Sequence, residues 1–354
     1  MLGDSRGRQP ELAGGVAVTV GIVITAFNCE RYIAEAIQSV RGQSYQTWEC
    51  VVIDDGSTDE TEAAARAAVG GDDRFRVVSQ MNAGEGGARN AGFGLLSECV
   101  TYVMFLDADD VLERDALATL VAASAMESVI GAHGLADRID SRGDPLGLGV
   151  SAAYGRSRVT PRMLGFGAVP RAGNTERSGQ ILRHTLFPPA VMLVKKEVYA
   201  AVGAWTRLPL CADWEMNLRV LERGDLAYVD AIVVRYRLHA AGATARASNS
   251  EWRWLLRCVL LDALANASDR SGGHRRRIAR RTWRAHQVMC ACDVIRELQG
   301  TAGQPTGLEI VKTAGRILVY MMRWIYGKPS ARSLRASRRT LDSYRNSLDA
   351  VAAG

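Results

Sequence analysis

The chain has 354 residues, 47% of them hydrophobic, which is enough for one large domain or two smaller ones with a substantial core. Its net charge of +6 is moderate, and the basic residues concentrate at 274–284, where a solvated helix face is favoured over a nucleic-acid surface. The seven cysteines are scattered without paired spacing, which argues against a disulfide framework and against a zinc site.

The N-terminal segment, residues 1–15, is polar and rich in glycine, and we expect it to be flexible. It contains no apolar stretch after its basic residues that could serve as a secretory signal. The nearest candidate for a membrane span, residues 310–326, is interrupted by Lys312, Arg316 and Arg323, whereas a span needs roughly 18 uninterrupted apolar residues. These features predict a cytoplasmic protein.

The first 125 residues alternate four times between strand and helix patterns. Continuous apolar and β-branched runs predict strands at 16–25, 48–53, 75–79 and 100–106. Helical patterns follow these strands, at 33–40, at 62–69, at 88–96 after a glycine-rich loop, and from about 111. Four such alternations predict an α/β fold with a mostly parallel, doubly wound sheet.

The second half of the chain has a weaker pattern. Residues 134–180 are rich in Gly, Arg, Ser and Pro, which predicts a long excursion with little regular structure. Order returns with a strand at 188–194, helices at 195–202 and 213–223, and a last strand at 226–238.

Composition divides the chain into three parts. After Ser248, Trp, Leu and Arg recur at helical spacing, so 249–354 is predicted to be an all-helical C-terminal region. The α/β domain is then 16–248, and it divides into a first half at 16–125 and a second half at 126–248. Residues 310–340 suit helix packing or a homodimer contact, which we favour, and also a peripheral contact with anionic lipid on the inner face of the membrane.

Three carboxylates stand within four positions at the end of the fourth predicted strand, at Asp107, Asp109 and Asp110. In an open α/β sheet this end is where ligands bind. Clustered carboxylates repel one another unless a cation lies among them, and a hard divalent ion that carries substrate phosphates would supply that charge. The alternative is a solvated turn in which Asp110 caps a helix beginning near Val111.

Five motifs occur in a fixed order, and each of them alone is weak. They are VITAFNCERYI (23–33), VIDDGSTD (52–59), NAGEGGARNAG (82–92), DADD (107–110) and CADWEMNLR (211–219). Over roughly residues 18–240 the chain therefore resembles the family 2 glycosyltransferases, which are inverting enzymes of the GT-A fold. The resemblance implies a Rossmann-like nucleotide-sugar-binding sheet, with a nucleotide-binding half at 16–125 and an acceptor-side half at 126–248. It also implies transfer of a hexose from a nucleoside diphosphate sugar, with a UDP-sugar favoured.

The resemblance also implies how the donor is bound. Asp55, supported by Asp54, would accept hydrogen bonds from the nucleotide base, because a carboxylate suits an N–H donor on a pyrimidine ring. Arg89 would lie beside the base or pair with one of the nearby acids. The full set of implied donor contacts is Thr25, Ala26, Phe27, Glu30, Asp54, Asp55, Arg89, Asp107, Ala108 and Asp109. Asp59 is better explained as a turn or cap residue.

The implied cofactor is Mn²⁺ or Mg²⁺, which in this family bridges the diphosphate and stabilises the leaving group. Asp109 would be a direct ligand, and Asp107 would reach the ribose or a metal-bound water. His239, which follows the last predicted strand, would touch the metal or the diphosphate. Arg237 is a comparable candidate for a phosphate contact.

Inversion requires a general base on the acceptor side, and Asp213 matches the family's catalytic base. Glu215 is a competing candidate, although two positions along a helix it would point elsewhere. The family usually has an acid directly before this Asp, whereas this chain has Ala212.

Two other functions compete with this interpretation. A catalytically silent sugar-nucleotide-binding or scaffold protein would keep the fold, but the intact set Asp107, Asp109 and Asp213 argues against it. A nucleotidyltransferase would carry a glycine-rich loop after the first strand, and Ala26 to Tyr32 contains no glycine. The acceptor is not readable from the residues, so glycans, lipid-linked glycans, metabolites and peptides all stay open.

Overall fold

The structure is a computed structural model that describes residues 18–146, 175–176, 189–206, 208, 211–221 and 223–242. The predicted flexible segment 1–15, the predicted helical region 249–354 and most of the excursion at 134–180 lie outside the described residues. Within the described part, no helix is long and apolar enough to cross a membrane.

Strands and helices alternate as the sequence predicts for the first half of the chain. The elements are β1 (Thr19–Ala26), α1 (Ile33–Arg41), β2 (Trp48–Asp54), α2 (Thr61–Val69), β3 (Phe75–Ser79), α3 (Gly84–Gly94), β4 (Val100–Asp107), β5 (Val111–Leu112), α4 (Ala116–Ser124), β6 (Val129–Ile139), β7 (Thr175–Glu176), a 3₁₀ turn (Pro189–Val191), β8 (Met192–Lys195), α5 (Lys196–Val202), α6 (Ala212–Val220) and β9 (Asp225–Arg237).

The described strands form one sheet in the order β3-β2-β1-β4-β8-β6-β9-β5, and β7 pairs with β9. The four strands β3, β2, β1 and β4 are mutually parallel, so their carboxyl ends meet at one edge. β8 runs antiparallel to both β4 and β6, and β6 runs parallel to β9. The predicted α/β fold with a mostly parallel sheet is confirmed.

The core lies on both faces of the parallel strands. β1 is buried along most of its length on both faces, and its continuous apolar and β-branched run suits that burial. α1 buries the face predicted from its spacing, with Ile33, Ile37 and Val40 all fully shielded from solvent. Burying each such side chain contributes roughly 1.5–3 kcal/mol.

α3 lies directly against β1 and β2, and a glycine makes this approach possible. A Cβ atom at Gly92 would come within 2.3 Å of Val23 Cγ1 and 3.2 Å of Ile53 Cγ1. The helix begins at Gly84, so part of the predicted glycine-rich loop is its first turn. This packing fixes the position of Arg89, which lies on the buried side of the same helix.

Two expectations for the chain after β4 are wrong. The helix expected near Val111 is replaced by the two-residue strand β5, and α4 begins only at Ala116. Asp110 does not cap a helix, because its Oδ1 accepts a hydrogen bond from the backbone N–H of Arg237 at 2.9 Å.

β6 extends through Ile139, into the stretch expected to be irregular. Gly134, the first residue of that stretch, serves close packing, because a Cβ atom there would lie 2.6 Å from Val233 Cγ1 on β9.

Candidate active site

The carboxyl ends of β1, β2 and β4 form one continuous edge of the sheet. Thr25 pairs in register with Asp107, and Ala26 pairs with Asp54. Just beyond these pairs, the backbone N–H of Asp55 donates to Ala26 O at 2.8 Å, and that of Ala108 donates to Thr25 O at 3.1 Å. Three of the sequence motifs are thus brought together where an α/β sheet binds its ligand.

Asp55 is 3% exposed and firmly held. Its Oδ1 accepts hydrogen bonds from Gln80 Nε2 at 2.6 Å and from the Ala83 backbone N–H at 2.8 Å. Asn82 Nδ2 donates to its backbone oxygen at 2.9 Å. One carboxylate oxygen is therefore fixed by the protein, and the described residues leave the other free to accept a hydrogen bond. Asp54 is also buried, and its Oδ1 has no partner among the described residues.

The loop after β1 is tied to the loop after β2. Glu30 Oε2 accepts a hydrogen bond from the Glu60 backbone N–H at 3.1 Å, and Asp59 Oδ2 accepts one from the Glu30 backbone N–H at 3.3 Å. Asp59 also accepts from the Thr61 backbone N–H at 3.1 Å, which is the turn role that its position predicted. Phe27, at the start of this loop, exposes 39% of its surface and offers an aromatic face at the sheet edge.

Arg89 is the centre of a charged cluster. It is fully buried, its Nη2 lies 2.8 Å from Asp107 Oδ1 and also pairs with Glu85, and its guanidinium stacks on Trp205 at 4.5 Å. Its Nε and Nη1 have no partner among the described residues. Arg89 thus pairs with Asp107 and Glu85, and not with the acids of β2 or with Glu30 as the sequence suggested.

Asp213 lies in the first turn of α6, and the chain enters this helix through Cys211 in the left-handed conformation, with φ of 65°. Its Oδ1 accepts a hydrogen bond from the Trp214 backbone N–H at 2.8 Å. Desolvation raises the pKa of Asp213 to about 6, against the lowering effect of Arg89. A carboxylate with this pKa is ionised at neutral pH and still basic enough to accept a proton.

Asp109 and His239 are in direct contact across the edge of the sheet. His239 Nε2 lies 2.9 Å from Asp109 Oδ2, and the imidazole packs on Tyr32 with ring centroids 4.8 Å apart. Asp110 holds the loop that carries Asp109 in place. It is fully buried, and its carboxylate accepts a hydrogen bond from the Arg237 backbone N–H on β9. Burial, together with repulsion from Asp109 and Asp107, raises the pKa of Asp110 well above its usual range.

A sequence profile for glycosyl transferase family 2 matches residues 21–158, the segment that carries Asp55, Arg89 and Asp109. Residues 21–158 thus carry a glycosyl transferase family 2 domain. An uncharacterized glycosyltransferase of Nostoc sp. is 36% identical over 122 residues, which cover 34% of this chain and 37% of that protein. Chondroitin synthase of Escherichia coli is 31% identical over 147 residues, covering 41% of this chain and 21% of the synthase. These matches span less than half of either relative.

Solved structures extend the similarity of fold. TarS 1–349 of S. aureus, in complex with UDP-GlcNAc, aligns with a TM-score of 0.61 at 15% identity, covering 93% of this chain and 90% of that chain. The mannosyltransferase PcManGT of Pyrobaculum calidifontis, in complex with GDP-Man and Mn²⁺, aligns with a TM-score of 0.52 at 17% identity, covering 91% of this chain and 86% of that chain. The described domain accordingly has a GT-A-like fold.

Asp109 and His239 bring two metal-binding groups together. Asp109 Oδ2 and His239 Nε2 form a hydrogen bond of 2.9 Å in this structure, so a carboxylate oxygen and an imidazole nitrogen meet at one point. Carboxylates are preferred ligands of Mg²⁺ and Mn²⁺, and imidazole is a common metal ligand, so the chemistry of the pair fits a divalent cation. The described residues contain no group of three or more His, Cys, Asp or Glu side chains that could hold an ion. A two-ligand site is compatible with an ion that keeps waters and substrate phosphates.

Glu215, the rival candidate for the base, has a structural contact instead. Its carboxylate accepts hydrogen bonds from Nε and Nη2 of Arg219, at 2.9 and 2.7 Å. Arg219 in turn donates to the backbone oxygens of Val202 and Ala204. Glu215 therefore joins α6 to the end of α5, whereas the Asp213 carboxylate makes no such ion pair with the residues that the structure describes.

Arg237 does not serve the phosphate contact that the sequence suggested. Its side chain is 1% exposed, its Nε donates to Asp109 O at 2.8 Å, its Nη1 donates to Asp140 O at 3.3 Å, and its Nη2 pairs with Glu35. The guanidinium also stacks on Tyr32 at 4.9 Å. All three nitrogens are committed, so Arg237 holds the Asp109 loop in place.

Replacing Arg237 by glutamine is expected to lower the free energy of unfolding by about 2 kcal/mol or more, because buried partners lose their hydrogen bonds. The matched control is Arg235→Gln on the same strand. Arg235 pairs with Glu113 at side-chain exposures of 39% and 38%, so its loss is expected to cost about 0–1 kcal/mol. Urea denaturation of the two variants compares these values, and equal losses would contradict the role assigned to Arg237.

Proposed function

We propose that this protein transfers a sugar, with inversion at the anomeric carbon, from a nucleoside diphosphate sugar to an acceptor in a reaction that requires Mn²⁺ or Mg²⁺. The observation that carries the proposal is the grouping of Asp107 and Asp213 around the buried Arg89, with Asp109 close by in sequence. Arg89 bonds Asp107 directly, and the charges of Arg89 and Asp107 both act on the pKa of Asp213. Asp109 stands two residues from Asp107 at the same strand end.

The donor nucleotide would occupy the edge formed by β1, β2 and β4. Asp55 would accept a hydrogen bond from the base through the carboxylate oxygen that the described residues leave free, and Phe27 would offer its ring. The family 2 domain and the fold shared with proteins solved with UDP-GlcNAc and GDP-Man support this donor class. A UDP-sugar is favoured because an aspartate suits the N–H group of a pyrimidine ring.

Asp109 and His239 would hold the divalent ion, which supplies Lewis-acid stabilisation of the charge that develops on the diphosphate. Asp107 would stay beside it, since its Oδ1 is bonded to Arg89 and lies 3.5 Å from the Thr25 hydroxyl. Asp107 would therefore reach the ribose or a metal-bound water through Oδ2, the oxygen that Arg89 does not hold.

The acceptor would approach on the side of Asp213. A bond forms between the acceptor oxygen and the anomeric carbon, the bond from that carbon to the diphosphate oxygen breaks, and its electron pair leaves with the diphosphate. Asp213 takes the acceptor proton on Oδ2, because Oδ1 already accepts from the Trp214 backbone N–H. The acceptor is a glycan, a lipid-linked glycan, a metabolite or a peptide.

Thermal unfolding with UDP, GDP, dTDP and CDP, each in Mn²⁺ and in EDTA, tests the donor and metal requirements. A ligand that binds only the native protein adds about 2.7 kcal/mol of stability at a hundredfold excess over its Kd. We expect UDP with Mn²⁺ to stabilise the protein and EDTA to abolish the effect. No shift with any nucleotide would contradict the function, and an EDTA-resistant shift would contradict the metal requirement.

A further inference from the structure

Glu85 lies at the second position of α3, and none of the roles described above uses it. Its Oε1 pairs with Arg89 Nη2, the nitrogen that also lies 2.8 Å from Asp107 Oδ1. The two carboxylates thus share one N–H₂ group of Arg89. The Glu85 side chain is 43% exposed, whereas its partner Arg89 is fully buried.

The charges that act on Glu85 come from both sides of the candidate site. Besides Arg89, the groups that act on its pKa are Asp107, Asp213 and Asp109. Desolvation raises the pKa of Glu85 to about 7, against the lowering effect of Arg89. Asp109 belongs to the side of the diphosphate and Asp213 to the side of the acceptor, so Glu85 borders the space that separates them.

We propose that Glu85 binds hydroxyl groups of the transferred sugar and determines which sugar the site accepts. This inference rests on the proposed function, because a sugar whose anomeric carbon lies between the diphosphate and Asp213 must occupy that space. Glu85 Oε2 makes no hydrogen bond to the described residues, so it is free to accept one from a sugar hydroxyl. Hydrogen bonds to an ionised carboxylate are about twice as strong as those between neutral groups.

Arg89 gives the Glu85 carboxylate a fixed position. Its guanidinium is pinned between Asp107 and the ring of Trp205, and α3 itself is held against β1 through Gly92. A carboxylate that is oriented in advance discriminates between sugar epimers better than a mobile one, since no ordering cost offsets the hydrogen bond.

The pair Glu62–Arg66 on α2 shows what an ordinary surface pair of the same spacing looks like. It also has i,i+4 spacing, and its glutamate is also 43% exposed. Its arginine, however, is 56% exposed and is not shared with a second acid in the ion pairs described. Glu62 therefore provides the matched control for Glu85.

The test is calorimetric titration of the full-length protein in Mn²⁺ with UDP, UDP-GlcNAc and UDP-glucose, and with GDP and GDP-mannose. The variants are Glu85→Ala, Glu85→Gln and the control Glu62→Ala. For each nucleotide the readout is the ratio of the Kd of the nucleotide to the Kd of its sugar derivative. Any general effect of the lost charge on diphosphate binding cancels in this ratio.

We expect Glu85→Ala to reduce the ratio for the preferred sugar about tenfold or more, which is the loss of a hydrogen bond to a charged group. Glu85→Gln, which keeps the shape and one acceptor, is expected to lose less, and Glu62→Ala is expected to keep the wild-type ratio. An unchanged ratio in both Glu85 variants would overturn the proposal, as would equal loss of nucleotide and nucleotide-sugar affinity. A wild-type protein that binds none of the probes would instead contradict the proposed function.

Discussion

Replacing Asp213 by asparagine is expected to reduce kcat about 100-fold or more, because removal of a general base forfeits a factor of about 10²–10⁴. Asparagine keeps the shape of the side chain but cannot take the acceptor proton. Donor affinity is expected to stay within about twofold of wild type, since no donor contact is assigned to Asp213. Release of UDP in single-turnover assays, combined with calorimetric donor titration, separates the two effects.

The same assignment fixes the dependence of activity on pH. Because the pKa of Asp213 is raised to about 6, the basic form is present above that pH and is lost by protonation below it. Wild-type kcat is therefore expected to fall about tenfold for each pH unit below about 6. The residual activity of Asp213→Asn is expected to lack this decline.

Stability provides the control against simple unfolding. A carboxyl group whose pKa is higher in the folded state destabilises the fold once the pH exceeds its unfolded value, and the cost is complete above the folded pKa. Asp213→Asn removes this cost and is expected to stabilise the protein at pH 7 by up to about 3 kcal/mol. Asp115→Asn, an exposed acid at the start of α4 with no capping hydrogen bond, is the matched neutral control. A normal kcat in Asp213→Asn would refute its role as the base.

The fold of the first half could be predicted because each local pattern agrees with its tertiary setting. Ile33, Ile37 and Val40 have helical spacing and all are buried, and the runs that precede Asp54 and Asp107 have strand composition and form parallel strands. The predictions failed where a residue type has two uses. Gly134 permits close packing against β9 in a stretch expected to be irregular, and Asp110 bonds to Arg237 of β9, 127 residues further along the chain.

In the candidate site, too, some features could be predicted from the sequence and others could not. The acids Asp55, Asp107, Asp109 and Asp213 could be named because they end strands or begin a helix in motifs of fixed order. The contacts that hold these acids in place could not be predicted, since they are made by buried arginines. Only the four-residue spacing of Glu85 and Arg89 signalled one of these pairs. Nothing local in the sequence indicated that Arg89 stacks on Trp205 or that Arg237 holds the Asp109 loop.

Replacing Asp109 by alanine is expected to lower the Mn²⁺-dependent affinity for UDP about 100-fold, since loss of even an outer partner of a metal site costs about 10–100-fold. Titration of UDP in Mn²⁺ and in EDTA measures this difference directly. The affinity in EDTA is expected to stay near the wild-type value, because the contacts to the base come from the β1 and β2 edge. Asp73→Ala, an exposed acid before β3 at the opposite edge of the sheet, is the control.

His239→Ala decides whether the imidazole is a ligand or only a support for Asp109. If Nε2 coordinates the ion, the direct binding of Mn²⁺ is expected to weaken about tenfold in His239→Ala, and more in the double variant than in Asp109→Ala. If His239 acts only by orienting Asp109 Oδ2, the double variant is expected to bind Mn²⁺ with the same affinity as Asp109→Ala. Electron paramagnetic resonance of free Mn²⁺ reads these affinities without substrate turnover. A wild-type affinity in all three variants would place the ion at other residues.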